Sequence, residues 1–255
     1  MGHENRSVLI YIAYRILPKG WLPDPQTASS ETLNLIDLTL NTYLALIILI
    51  SLVLIASRHL KLRPTSRFQI AFEALVEGLF NFFRDILGPT GGRYTPFVIS
   101  FFVSILLMNL IGLVPGFISP TSNLNTTIAL ALIAVLGVQV IAIKEIGIWM
   151  YIRHFLGEPI WLSPLMFPLH VIGEAAKVLS LSIRLFGNIF GEDTIIVVLA
   201  GMSPYFILGK VEIPYIPYQL PMMLFGLLTA FLQALVFSVL TSIYIALFIG
   251  EEEAH

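Results

Sequence analysis

Long uncharged, hydrophobic runs separated by short polar segments dominate the chain. A helix needs about 20 apolar residues to cross the hydrocarbon core of a membrane, and residues 38–57 form the first uncharged run of that length. Residues 94–143 carry no charge, and the turn residues Pro115, Gly116 and 119–123 divide this longer run in two. The pattern therefore predicts five membrane helices, at residues 38–57, 95–118, 126–148, 161–202 and 222–249.

Residues 67–88 have a different, amphipathic pattern. Glu73, Glu77 and Arg84 share one helical face, whereas apolar side chains, many of them phenylalanine and leucine, occupy the other. This pattern predicts a helix that lies in the membrane interface, and a sixth, polar-lined membrane span is the alternative. The predicted fold class is all-α: one integral membrane domain over residues 1–255, in which residues 1–32 form an extracytoplasmic segment.

The composition supports a membrane protein and excludes several other classes. Hydrophobic residues make up 57% of the chain and charged residues 12%, and the mean hydropathy is +0.88; soluble domains contain about 25% charged residues. The net charge is only -2 and no basic block is present, so we expect no nucleic-acid partner. Cysteine and a glycine-rich phosphate loop are both absent. We therefore expect no metal, no cofactor and no direct nucleotide site.

The distribution of cations predicts the orientation in the membrane. Arg58, Lys61, Arg63 and Arg67 follow the first predicted span without an intervening acid, and the positive-inside rule places such a cluster in the cytoplasm. The N-terminus then lies outside, and five crossings bring the acidic C-terminus into the cytoplasm. The acidic tail and the full set of spans favour a bacterial plasma membrane.

The predicted span at 161–202 is the polar one, with a permanently charged guanidinium near its middle. Burying Arg184 at the centre of a membrane helix costs about 2.5 to 3.5 kcal/mol, and the group does not escape by losing its proton. At 100° per residue, one face holds His170, Gly173, Lys177, Ser180, Arg184, Gly187, Asn188 and Gly191, with Glu174 and Glu192 at its edge. This stripe extends over about 33 Å, so protonatable groups on both sides of a fixed positive charge predict a proton path.

Each of these residues also has a structural interpretation. Arg184 could pair with an acid of the same chain, and Lys177 and Glu174 could neutralise one another at i, i+3. His170 could cap or border a helix end, and Gln233 could bond to any neighbouring helix. Two other functional classes remain at this point: a self-contained transporter whose arginine binds an anionic substrate, and a non-conducting scaffold of a respiratory complex.

Four motifs resemble subunit a of the membrane sector of F-type rotary ATP synthases. Residues 180–188 read Ser-Leu-Ser-Ile-Arg-Leu-Phe-Gly-Asn, and the acids Glu192 and Asp193 follow them. Residues 108–115 read Met-Asn-Leu-Ile-Gly-Leu-Val-Pro, residues 120–127 read Pro-Thr-Ser-Asn-Leu-Asn-Thr-Thr, and residues 232–234 read Leu-Gln-Ala. The resemblance extends from about residue 38 to the C-terminus.

The resemblance implies a non-catalytic stator subunit whose last two helices are long and tilted against a rotating ring of c subunits. It also implies peripheral-stalk b subunits as partners, and protons or sodium ions as the coupling ion. Arg184 would attract the ring carboxylate and separate two half-channels. Asn188, Gln233 and either Glu192 or Asp193 would belong to the outer half-channel, with Glu174, Lys177 and His170 on the inner side.

The chain departs from the family pattern at a few positions. Many members have proline where this chain has Val178, and some have histidine where Gly226 stands. The family's acid usually falls nine residues after the arginine, at Asp193, but Asp193 lies about 180° from Arg184 on a helical wheel, so geometry favours Glu192. Both acids remain candidates.

Overall fold

The structure is a computed structural model. It describes residues 7–16, 29–59, 67–114, 116–156, 162–202, 205–208, 211–214 and 218–250. The helices are α1 (Val8–Ile16), α2 (Ser30–His59), α3 (Arg67–Gly91), α4 (Thr95–Gly112), α5 (Leu124–Leu156), α6 (Ser163–Met202) and α7 (Leu220–Gly250). Short 3-10 helices lie at Gly92–Tyr94 and Pro120–Ser122. Strands β1 (Tyr205–Leu208) and β2 (Val211–Pro214) pair antiparallel.

The predicted all-α fold class is confirmed, and the β1–β2 hairpin is the only β-structure in the described part of the chain. Five helical stretches are long and apolar enough to cross a membrane: Glu31–Ser51, Gln69–Gly112, Leu124–Arg153, Ser163–Met202 and Leu220–Gly250. The chain is thus a multi-pass membrane protein. The second stretch contains both α3 and α4, so the interfacial position of residues 67–88 stays a prediction.

Several helix limits differ from the predicted spans. Helix α4 ends at Gly112 rather than at residue 118, because the last turn tightens through bonds from Leu113 N to Leu110 O and from Val114 N to Ile111 O. Helix α2 begins at Ser30, within the segment predicted to be extracytoplasmic. The loop cations Lys61 and Arg63, the side chain of Arg58, and residues 1–6, 17–28 and 251–255 lie outside the described residues.

The chain forms two compact units of packed helices. The first comprises Met1–Leu52, Ser104–Thr126 and Leu185–Gln233. Its core contains aliphatic side chains contributed by five helices: Ile10, Ala13, Leu33, Ala45, Ile105, Met108, Leu185, Ile189 and Ala230. Because water is absent from the hydrocarbon region, helices there associate through such close packing and through hydrogen bonds between polar side chains.

The second unit comprises Val53–Val103, Thr127–Arg184 and Ala234–His255, and aromatic rings form much of its core. The ring of Phe83 lies 6.0 Å from that of Phe102, and the ring of Phe101 lies 5.8 Å from that of Phe237. Glu145 on α5 accepts hydrogen bonds from Arg93 and Tyr94, which precede α4. The charge of Glu145 is therefore compensated where α4 begins.

Helix α5 reverses direction instead of running straight. Its backbone is interrupted at Gly147, where φ is 79° and ψ is 154°, a left-handed conformation that favours glycine. The hydroxyl of Tyr151 donates to Oε1 of Gln139 at 2.5 Å. Twelve residues of straight helix would separate these positions by about 18 Å, too far for the two side chains to bridge. The segment after Gly147 therefore packs back along the segment before it.

In the first unit, a buried carboxylate fixes α1 against α2. Asp37 is 2% exposed and accepts from the backbone N–H of Ser7 at 2.7 Å and from the Ser7 hydroxyl. Nδ2 of Asn41 lies 3.2 Å from the same carboxylate, and the backbone N–H of Ile118 donates to Oδ1 of Asn41. The negative charge also lies at the N-terminus of α1, where the helix dipole favours it.

We expect Asp37→Asn to loosen α1. The carboxylate accepts from Ser7 and Asn41, and in the variant an NH₂ group, which only donates, would replace one of its two oxygens. Leaving a buried polar group unpaired costs about 1 to 3 kcal/mol, so amide hydrogen exchange in residues 8–16 should accelerate about tenfold or more. Glu31→Gln, on the exposed part of α2, is the control and should leave exchange unchanged. Equal exchange in both variants would show that apolar packing alone holds α1.

Candidate functional site

The guanidinium of Arg184 lies on an exposed face of α6 without an anionic partner in the described part of the chain. Its one hydrogen-bonding contact there is from Nη2 to Oγ of Ser180, at 3.5 Å. Arg93 pairs with Glu145 and Lys177 pairs with Glu174, and neither of these ion pairs involves Arg184. The alternative in which Arg184 pairs with an acid of its own chain therefore finds no support among the described residues.

The face of α6 around Arg184 is open. Ser180, Gly187 and Asn188 are exposed, as is the neighbouring Ile183, at 57%. A Cβ atom added at Gly187 would meet no atom within 4 Å. Only 17% of the most apolar part of α6 is buried, the lowest share of the five candidate spans. The described chain thus leaves this charged, small-residue face for lipid or another protein to cover.

In the first unit, two hydrogen bonds between polar side chains join α6 to α7. Nδ2 of Asn188 donates to Oε1 of Gln233 at 2.9 Å, and the hydroxyl of Thr229 donates to Oε2 of Glu192 at 2.6 Å. The partners are one helical turn apart on each helix, which matches an antiparallel pair. We call these four residues the Glu192 cluster. It brings together three of the residues predicted from sequence and adds Thr229.

The position of Glu192 depends on a glycine, Gly226, on the facing helix α7. A Cβ atom at Gly226 would lie 1.7 Å from Oε1 of Glu192, so the carboxyl group occupies the space that any other residue at 226 would fill. Glu192 is only 7% exposed. Asp193 is less buried and makes no hydrogen bond or ion pair with any other residue in the described ranges. The geometry therefore favours Glu192 over Asp193 as the acid of this cluster.

In the second unit, a pair of opposite charges occupies α6. Nζ of Lys177 donates to Oε1 of Glu174 at 2.6 Å and lies 4.6 Å from the centroid of the Tyr244 ring on α7. The pairing that the i, i+3 spacing allowed is thus formed. Nδ1 of His170 lies 3.1 Å from the carbonyl oxygen of Phe155 at the end of α5, a contact typical of a capping histidine.

Four polar side chains at these sites were not predicted from the sequence: Thr229, Tyr244, Gln139 and Tyr151. Thr229 precedes Gln233 by one helical turn, just as Asn188 precedes Glu192, and this matched spacing is the signal that could have found it. Gln139 is the sole amide between Thr127 and Lys144 of α5, and an isolated amide in an apolar helix often bonds to a neighbour. No group of three metal-binding side chains occurs among the described residues.

The fold and the site together define a class: multi-pass helical membrane proteins with charged and protonatable groups along an intramembrane helix, an arrangement typical of ion translocation. The chain belongs to the ATP synthase A chain family, whose family model matches residues 39–246. This confirms the resemblance drawn from the sequence motifs. The family is the non-catalytic, proton-translocating membrane subunit of the ATP synthase.

Curated relatives agree with the family model. The chain is 40% identical to ATP synthase subunit a 3 of Pelobacter propionicus over 215 residues, which cover 84% of this chain and 87% of the relative. It is 42% identical to ATP synthase subunit a of Syntrophobacter fumaroxidans over 205 residues, which cover 80% and 81%. ATP synthase subunit a of Geobacter sulfurreducens is 40% identical over 215 residues, with 84% and 87% covered.

We expect Gly226→Ala to displace the carboxyl group of Glu192, because the new methyl group would occupy its position. The Thr229 bond would then be lost, and ATP-driven proton pumping in inverted membrane vesicles should fall severalfold at equal subunit level. Gly201→Ala is the control, since a Cβ atom there meets nothing within 4 Å. Adding Glu192→Asp, which shortens the acid, should restore part of the pumping. Equal pumping by the Gly226 and Gly201 variants would contradict this account of the site.

Proposed function

We propose that this chain is the stator channel subunit of a rotary ATP synthase and that Arg184 faces the ionisable carboxylates of a ring of c subunits. One observation supports this most strongly. The guanidinium lies on the exposed, small-residue face of an otherwise apolar helix, α6, and pairs with no described carboxylate of its own chain. A permanent charge in a hydrocarbon layer needs an anion or water beside it, and a ring carboxylate supplies the anion.

The strength of this interaction suits a rotor. At 4 Å and an effective dielectric constant near 20, the attraction between two unit charges is about 4 kcal/mol. This favours the ionised ring carboxylate beside Arg184 without locking the ring in place. Once a ring site takes up a proton it becomes neutral, and it then moves into lipid at a much lower desolvation cost than an ion. Directed proton supply therefore biases the diffusion of the ring.

Two half-channels would lead protons to and from the ring. The Glu192 cluster supports the outer one, because it places a carboxyl group, two amides and a hydroxyl on facing helices in otherwise apolar surroundings. The inner half-channel would contain Glu174 and Lys177, with His170 at its end. Asp193 remains the alternative acid of the outer half-channel, since the family pattern favours it.

The partners and the topology follow from the same proposal. The N-terminus would lie outside and the C-terminus in the cytoplasm of a bacterial plasma membrane, in agreement with the bacterial relatives and with the cations between residues 58 and 67. The chain would contact c subunits through α6 and α7 and would be held by peripheral-stalk b subunits. Protons or sodium ions would be selected mainly by the ring, because the ring carries the binding carboxylate.

Glu192→Gln should slow coupled pumping more than Asp193→Asn. Glu192 is the buried acid bonded to Thr229, and its amide analogue carries no exchangeable acid proton. We expect a loss of tenfold or more for Glu192→Gln and at most a few-fold loss for Asp193→Asn, measured in inverted vesicles with equal assembly. A reversed ranking would assign the outer half-channel to Asp193, as the family pattern does.

Substitution of Arg184 tests the central proposal. Arg184→Lys keeps a charge but loses the planar fork and is able to lose its proton in a dry site, so ATP-driven pumping should fall by at least tenfold. Arg184→Ala should also abolish coupling, while passive proton flux through vesicles stripped of the catalytic head persists or rises. Both fluxes are measured at equal assembly.

The matched control is Ser180→Ala, which lies one turn away on the same exposed face and removes only the 3.5 Å contact with Arg184. It should pump almost normally. Near-normal coupled synthesis in either Arg184 variant would falsify the proposed role. Transport of an anionic solute by the isolated chain, lost on substitution of Arg184, would support a self-contained transporter instead.

A further inference from the structure

An open cleft of about 270 Å³ lies between α5 and α6 in the second unit. Its wall is mostly apolar, and Leu136 and Val171 lie on its exposed rim. Three polar side chains also line it: Gln139, Tyr151 and Glu174. The cleft exists because α5 reverses at Gly147 and brings Tyr151 next to Gln139. Neither the motifs nor the arginine account for Gln139 and Tyr151.

Two atoms at this cleft lack a hydrogen-bond partner. Nε2 of Gln139 and Oε2 of Glu174 are both buried and unpaired, although Oε1 of each side chain is bonded, to Tyr151 and Lys177 respectively. One is a donor and the other an acceptor, and both belong to residues that line the same cleft. Such orphaned atoms are rare in native proteins and commonly mark the place of an ordered water.

The cleft is large enough to hold that water molecule. A site needs only about 10 to 15 Å³ of probe volume to hold one water molecule, together with two to four polar partners. The terminal torsions of glutamine and glutamate side chains are soft, so either group turns toward the cleft with little strain. Water there would accept from the Gln139 amide and donate to the free oxygen of Glu174.

We propose that this cleft is hydrated and that Gln139 and Tyr151 are positioning residues of the inner proton path, holding water against Glu174. The proposal rests on the proposed function, in which Glu174 belongs to the inner half-channel. Tyr151 fixes the Gln139 amide by donating to its oxygen, which directs the amide N–H groups toward water. Protons then pass between Glu174 and the cytoplasm through the cleft, along water that replaces an otherwise apolar barrier.

Hydration is tested with single cysteines, since the natural chain contains none. A thiol reacts as the thiolate, which forms in water and not in lipid. Ala175→Cys places a thiol in the cleft, and Val140→Cys places one on the exposed apolar face beside Gln139 but outside the cleft. In the assembled complex, a charged methanethiosulfonate should modify position 175 at least tenfold faster than position 140. Equal, slow modification would overturn the proposal.

The role in proton transfer is tested with Gln139→Leu and Tyr151→Phe. We expect ATP-driven pumping to fall severalfold in both, with a larger solvent hydrogen isotope effect than in the natural chain and without the passive leak expected for Arg184→Ala. Gln139→Asn, which keeps an amide, should retain more pumping than Gln139→Leu. Should Gln139→Leu fail to assemble, Tyr151→Phe decides, because it removes only a hydroxyl group.

The outcomes separate this proposal from the function on which it rests. Modification at position 175 together with normal pumping and an unchanged isotope effect in both variants would show a hydrated cleft outside the proton path. That result would overturn the proposal and leave the role of Arg184 intact. Normal coupling in the Arg184 variants would remove the proposed function itself, whatever the cysteines report.

Discussion

An arginine in a hydrocarbon layer stays charged at every physiological pH, so it must face an anion or water. In the described part of this chain Arg184 finds neither a carboxylate nor a buried position, and its nearest polar contact is a serine hydroxyl at 3.5 Å. The small residues beside it leave the guanidinium accessible to a partner. The need to compensate this charge links the fold to the proposed assembly, in which a ring carboxylate would supply the anion.

Two of the three acids on α6, Glu174 and Glu192, are held in chemically different ways. Glu174 is bonded to the ammonium group of Lys177, a charged donor. Glu192 is bonded to the hydroxyl of Thr229, which donates to a carboxylate and equally accepts from a carboxylic acid. A neutral partner of this kind orients Glu192 without placing a countercharge beside it. In the proposed outer half-channel, Glu192 would take up and release a proton in each cycle.

The sequence predicted the helices, the polar face of α6 and the isolation of Arg184 because these follow from local periodicity and from the absence of acids in the other spans. The helical wheel also favoured Glu192 over Asp193 as the channel acid, and that choice stays a prediction. The sequence did not predict α1 or its bond to Asp37. Helix α1 has only nine residues, and the carboxylate that holds it lies thirty residues away, so no local sequence pattern indicates the contact. Thr229, Gln139 and Tyr151 were not predicted as site residues for the same reason: their partners lie on other segments.

Hydropathy measures how apolar a segment is, but it does not indicate where a helix changes direction, as α5 does at Gly147. The reversal of α5 depends on the backbone torsions of Gly147. The cleft is therefore formed by the course of the main chain more than by the side chains that line it. A relative that kept a glutamine and a tyrosine at the positions of Gln139 and Tyr151 but carried a branched residue at 147 would hold them on a straighter helix, about 18 Å apart. Whether a relative has this cleft therefore depends on the residue at position 147, although Gly147 contributes no side chain to the cleft.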